Sequence, residues 1–167
     1  LLSMQKKENN HAFIDSQNLH LAILSEGWKL DFARFRIFLS QKYQIQKAFI
    51  FIGKIPENSD LYKALQKMGY TLIFKPTLQN KDGETLKGNC DAELVLHCMI
   101  ELSNFDKAII ISGDGDFHCL IKYLEQKKKL LKVGIPNRHR YSALLRDFRQ
   151  YFFFVSDLKQ KLKHKKR

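Results

Sequence analysis

Four aspartates stand where the chain should leave a strand or enter a helix. Asp15 closes the run His11-Ala12-Phe13-Ile14, with Asn18 three residues on. Asp114 and Asp116 lie in Ser112-Gly113-Asp114-Gly115-Asp116-Phe117, directly after Ala108-Ile109-Ile110-Ile111, and Asp91 lies in Asn89-Cys90-Asp91-Ala92-Glu93 at a helix start. Alone, each has a structural explanation, because aspartate favours helix N-caps and the positive end of the helix dipole. The set asks for more. Two carboxylates about 4 Å apart repel by about 4 kcal/mol at an effective dielectric of 20, so several stay ionised together only around a cation or with raised pKa values. Aspartate oxygens with an Asn amide are hard ligands, suited to Mg²⁺ or Mn²⁺, which keep several waters and accept a phosphate oxygen. The chemistry this suggests is phosphodiester hydrolysis: the ion neutralises the scissile phosphate and an activated water attacks in line.

Such acids converge only if the intervening elements bring them together. Short apolar runs at His11 to Asp15, Ala48 to Ile52, Tyr70 to Phe74, Lys107 to Ser112, Leu131 to Ile135 and Tyr151 to Val155 read as strands. Between them the spacing of Phe32, Phe35, Phe38 and Leu39, of Leu61, Leu65 and Met68, of Leu94 to Leu102 and of Leu120 to Leu124 is helical. Strands apolar on both faces and alternating with helices predict an α/β fold, a three-layer sandwich with a mainly parallel central sheet. In such a sheet ligands bind outside the carboxyl ends of the strands. The acids collect at that edge if the strands of Asp15 and Asp114 are neighbours. One long loop, Pro76 to Asn89, interrupts the alternation, and unstructured length of this kind inside a domain is often functional. Residues 10–158 are expected to form one domain, and residues 159–167 a basic C-terminal tail.

The chain has 167 residues, 44% of them hydrophobic, and a formal net charge of +12. That is enough apolar material for one filled core, and no apolar run approaches the length of a membrane span. Lys159, Lys161, Lys163, Lys165, Lys166 and Arg167 form a basic end without one acidic side chain, Lys127 to Lys129 with Lys132 a second block, and Arg138, Arg140, Arg146 and Arg149 a third. Polyanions are the natural partners of such a surface. Cys90, Cys98 and Cys119 are odd in number and form no C-x-x-C, and Leu1 to Asn10 has no apolar signal region, so a cytoplasmic location is expected. A dinucleotide site is excluded, because Asp114 and Asp116 stand where a pyrophosphate would approach. The pairs His97-Cys98 and His118-Cys119 point too far apart on a helix to chelate zinc easily.

Three segments resemble the motifs of the NYN domain family, the LabA-like group of PIN-like nucleases. Ala12-Phe13-Ile14-Asp15-Ser16-Gln17-Asn18-Leu19 is similar to the first, Lys87-Gly88-Asn89-Cys90-Asp91 with Leu94 to the second, and Ile110-Ile111-Ser112-Gly113-Asp114-Gly115-Asp116-Phe117 to the third. The resemblance runs in order from about Asn10 to Leu158, since Val133-Gly134-Ile135 and Ser142 to Leu145 also sit where the family places its penultimate strand and following helix. It implies a PIN-like Rossmannoid fold and a metal-dependent endoribonuclease that uses Mg²⁺ or Mn²⁺. By position it makes Asp15, Asp91, Asp114 and Asp116 the catalytic, metal-binding acids. Asn18 would orient a water or phosphate, Ser112 would support the turn, and Lys87 would touch substrate phosphate, with Arg138 and Arg140 in the substrate-binding set. Single-stranded RNA is the implied partner, no membrane is involved, and a homodimer is left open. One departure stands out: His97 occupies the place where many LabA-like members repeat an aspartate. The alternative is therefore a PIN-like module of little or no activity that binds RNA or a protein.

Overall fold

The run Ala108–Ile111 carries no polar side chain and is buried on both faces, which makes it a central strand rather than an edge. The computed structural model describes residues 7–78, 81–82 and 90–165. In chain order the strands are β1 (Asn10–Asp15), β2 (Ile45–Gly53), β3 (Tyr70–Lys75), β4 (Ala108–Ile111), β5 (Leu130–Ile135) and β6 (Phe152–Phe154). The helices are α1 (Ser16–Ser25), α2 (Phe32–Tyr43), α3 (Ser59–Lys67), α4 (Asp91–Ile100), α5 (His118–Gln126) and α6 (Lys159–Leu162). The sheet order is β3-β2-β1-β4-β5-β6, and every neighbouring pair is parallel. The chain winds outward from β1 to β3, returns to lay β4 beside β1, and winds outward again to β6. The order reverses between β1 and β4, and the crevice at their carboxyl ends is the expected binding position.

Alternation along the strands fills two cores. Ala12, Ile14, Ile109 and Ile111 point into the layer of α1, α2, α3 and α6 with Leu19, Phe35 and Leu39. Phe13, Phe49, Phe51 and Ile110 point into the layer of α4 and α5 with Leu94, Leu120 and Leu124. The architecture is thus the three-layer α/β sandwich expected, and its six strands are all parallel. No helix among the described residues is long and apolar enough to cross a membrane.

Two elements depart from the sequence pattern. Residues Ala143–Tyr151 form 3-10 turns, capped by Ser142, whose side chain accepts from the Leu144 amide. The basic stretch after Leu158 forms α6 rather than hanging free. Leu162 is 1% exposed, and Leu30 pairs with Lys163 in an antiparallel bridge. Leu158 and Leu162 lie one helical turn apart and both reach the first core, a pairing that the surrounding lysines conceal.

Candidate metal centre

The register Ile14↔Ile111 sets Asp15 and Ser112 side by side where β1 and β4 end. Asp15 also caps α1, its Oδ1 accepting from the Asn18 amide at 3.3 Å. Its Oδ2 accepts from Ser112 Oγ at 2.9 Å, and the same Oγ accepts from the Asp114 amide at 3.0 Å. Asn18 Oδ1 closes the link by accepting from the Gly113 amide at 2.8 Å. Asp114 caps the 3-10 turn Gly115–Phe117, its Oδ1 accepting from the Asp116 amide at 2.9 Å. These bonds fix the two carboxylates to one another across the switch point. Gly115 allows the turn to lie close, since a Cβ there would come within 2.9 Å of Ser142 Cβ. The Ser142 amide donates to Gly113 O at 2.9 Å and braces the turn from the far side.

Asp91 supplies the third acid as the first residue of α4. One carboxylate oxygen each from Asp15, Asp91 and Asp114 lies within 4.8 Å of the others. At that spacing each ionised pair repels by about 3 kcal/mol at an effective dielectric of 20. Asp15 registers the strain: its pKa is pushed up to about 6, chiefly by burial and further by Asp91 and Asp114, against the opposing bonds from Ser112 and Asn18. Nearby, burial and Glu93 push the Cys90 thiol up to about 11, so it stays protonated at neutral pH. Three half-buried carboxylates, with the proton affinity of Asp15 raised, form a hard, oxygen-only donor set, which fits a hard divalent cation.

The other expected site residues lie outside this triad. Asp116 is exposed and contributes its backbone amide as a cap rather than a carboxylate to the cluster. Arg138 is engaged elsewhere: its Nε donates to Asp157 Oδ1 at 3.1 Å, its Nη2 bonds Asp157 Oδ2, and its guanidinium lies 4.1 Å above the Phe154 ring. Arg140 is exposed, and its carbonyl abuts Gly113, so its side chain starts beside the acidic turn. Lys87 lies outside the described residues. His97 packs its ring 4.8 Å from that of Phe49 and 5.8 Å from that of Phe51, with Nε2 3.8 Å from Glu101. It stands nearly two turns along α4 from Asp91, toward the far end of the helix. Tyr141 and Ser142 support the turn; the sequence marks Ser142 only as the start of an expected helix, and Tyr141 not at all. Lys54 and Lys75 stand after β2 and at the end of β3 on the same edge, and their alternation with apolar residues signals only a strand end.

A model of the NYN domain matches residues 11–156. The chain is 28% identical to the Low amplitude and bright protein LabA of Synechococcus elongatus, over 72% of this chain and 70% of that one. Its fold is similar to the crystal structure of a Vibrio parahaemolyticus protein of unknown function, with a TM-score of 0.76, 23% identity, and coverage of 98% of this chain and 100% of that one.

Proposed function

Because the chain belongs to the NYN domain family, a group of PIN-like nucleases, we propose that it is an endoribonuclease dependent on Mg²⁺ or Mn²⁺ and acting on single-stranded RNA. The carrying observation is the meeting of Asp15, Asp91 and Asp114 at the switch point. These three residues hold the ion. When bound, it supplies charge neutralisation at the scissile phosphate and a more acidic water. Ser112 Oγ keeps Asp15 and the Asp114 turn in register, and Asn18 holds the turn through Gly113. Asp116 would complete the acidic set from the exposed side, and Arg140 with Lys87 would contact substrate phosphates. An odd number of cysteines without a C-x-x-C suits a reducing, cytoplasmic setting.

The test is cleavage of labelled single-stranded RNA with Mn²⁺, with EDTA, and by Asp114→Asn. That variant keeps the Oδ1 cap and removes the charge. Its rate is expected to fall by about a hundredfold or more; equal rates for the variant and wild type would refute the assignment. A second reading, an RNA- or protein-binding module without catalysis, draws on His97, which packs against phenylalanines where an additional acid would stand. Calorimetry separates the two, since a pocket that takes up no Mn²⁺ at millimolar concentration supports the second.

A further inference from the structure

A second feature of the carboxyl edge is cationic. Beyond the last turn of α1, a groove of about 880 Å³ is lined by Lys29, Lys159, Lys163 and Lys165 over Leu24 and Trp28, and no carboxylate is among the described residues that line it. Like charges gathered in this way repel one another, and a polyanion relieves that repulsion.

The lysines are also held in place. The Asp31 amide donates to Leu162 O at 2.8 Å and the His164 amide to Lys29 O at 2.8 Å, while Leu30 pairs with Lys163. Buried Leu162 anchors α6 beneath them. The backbone is extended at Lys163, and period-two alternation sends Lys163 and Lys165 to one side of the segment. A solubilising tail gains nothing from such pinning, whereas a binding surface does, because the ordering cost is met before the ligand arrives.

Placement connects the groove to the acids. Helix α1 begins beside Asp15, and its last turn reaches the end of β5, where Asn137 Nδ2 donates to Ala22 O at 3.4 Å and to Ser25 Oγ at 3.2 Å. Ten residues of helix span about 15 Å, a distance an extended strand crosses in a few nucleotides. Leu24 is 47% exposed and offers an apolar rest for a base.

We propose that this groove binds the phosphate backbone of the single-stranded RNA that flanks the cleavage position. The inference rests on the ribonuclease reading for its substrate but is measured without catalysis. Anisotropy with a fluorescent oligouridylate of about 15 nucleotides, in EDTA and between about 50 and 300 mM KCl, compares wild type with the combined variant Lys29→Gln, Lys159→Gln, Lys163→Gln and Lys165→Gln. Four lost phosphate contacts lower the log–log salt slope by about 3, and the matching four Lys→Arg changes keep it. Thermal melts of the variants should overlay wild type, since three of the four side chains are exposed and the fourth half-buried. An unchanged slope overturns the proposal, as does polyglutamate of equal charge binding as tightly as RNA. Loss of slope in a protein that never cleaves RNA with Mn²⁺ sinks the nuclease reading and leaves the groove standing. Cleavage with an unchanged slope sinks the groove alone.

Discussion

The two ends of β1 carry short polar side chains, Asn10 and Asp15, and the protein treats them in opposite ways. Asn10 is fully buried and its amide is used up: Nδ2 donates to Tyr43 O at 2.9 Å and Glu8 Oε2 at 3.0 Å, and Oδ1 accepts from the Lys107 amide at 3.2 Å. Beside it, Lys129 Nζ donates to Leu102 O and Phe105 O, and Asp106 accepts from the Asn9 amide. His11 apart, whose ring nitrogens have no hydrogen-bond partner, the described groups of the amino edge match donor to acceptor, and Asn10 faces no like charge there. At the carboxyl edge, Asp15 also has donors on both oxygens, yet it faces Asp91 and Asp114. Polar satisfaction at one end leaves structure alone; surplus negative charge at the other is stability given up for something not in the chain.

Breaking the satisfied end should have the largest effect on folding. Asn10→Leu strands Tyr43 O and removes the acceptor for the Lys107 amide, at a cost of about 3 kcal/mol and roughly 6–12 °C in Tm for a chain of this size. Calorimetric Mn²⁺ affinity, measured well below Tm, should not change. Breaking the other end should do the reverse. Asp15→Asn keeps an acceptor for the Asn18 amide but removes one charge from the triad, so the metal-free protein at pH 8 is expected to gain about 1–2 kcal/mol. Differential scanning fluorimetry would show a raised Tm without Mn²⁺ and no further rise with it. A lowered Tm without Mn²⁺ would mean that the acids do not repel as their spacing implies. In the wild type, protons compete for the same oxygens, and apparent Mn²⁺ affinity should weaken as pH falls through about 6, the value to which Asp15 is raised.

The contrast explains what the sequence makes legible. Strands such as Ala108–Ile111 announce themselves because burial on both faces allows no polar residue, and the Asp114 turn follows because helix caps have a narrow residue menu. That β1 lies next to β4 is a property of pairing between distant segments, and no local pattern encodes it. For the same reason capping and clustering were not rivals: Asp15 and Asp114 each use one oxygen as a cap and still meet across the switch point. Arg138 reads as a free cation until Asp157, nineteen residues on, is placed against it. Helix α6 stays hidden because two leucines among lysines carry little weight in composition, although Leu162 is among the most buried side chains.

Opposite pH slopes at the two ends give the finest version of the contrast. Asp15 has a pKa raised above its ordinary 3.8, so the metal-free fold binds its proton more tightly than the unfolded chain does. That contribution is full below about pH 4 and is lost as pH rises through about 6. At the amino edge His11 is 1% exposed among Phe13, Phe49 and Phe105, and neither ring nitrogen has a hydrogen-bond partner. Burial lowers its pKa from 6.5, Glu101 opposes that and Lys47 adds to it. The unfolded chain therefore takes up the proton first, and stability is lost as pH falls below about 6.5. Replacing the ring by His11→Phe removes the second slope and leaves the first. Relative to wild type, the Tm difference between pH 7.5 and 5.5 should shrink by about 2–4 °C, the equivalent of about 1 kcal/mol. Comparing the variant with itself at two pH values cancels any packing change that the larger ring introduces. An undiminished difference would assign the acid lability to other groups and leave the amino edge indifferent to protons.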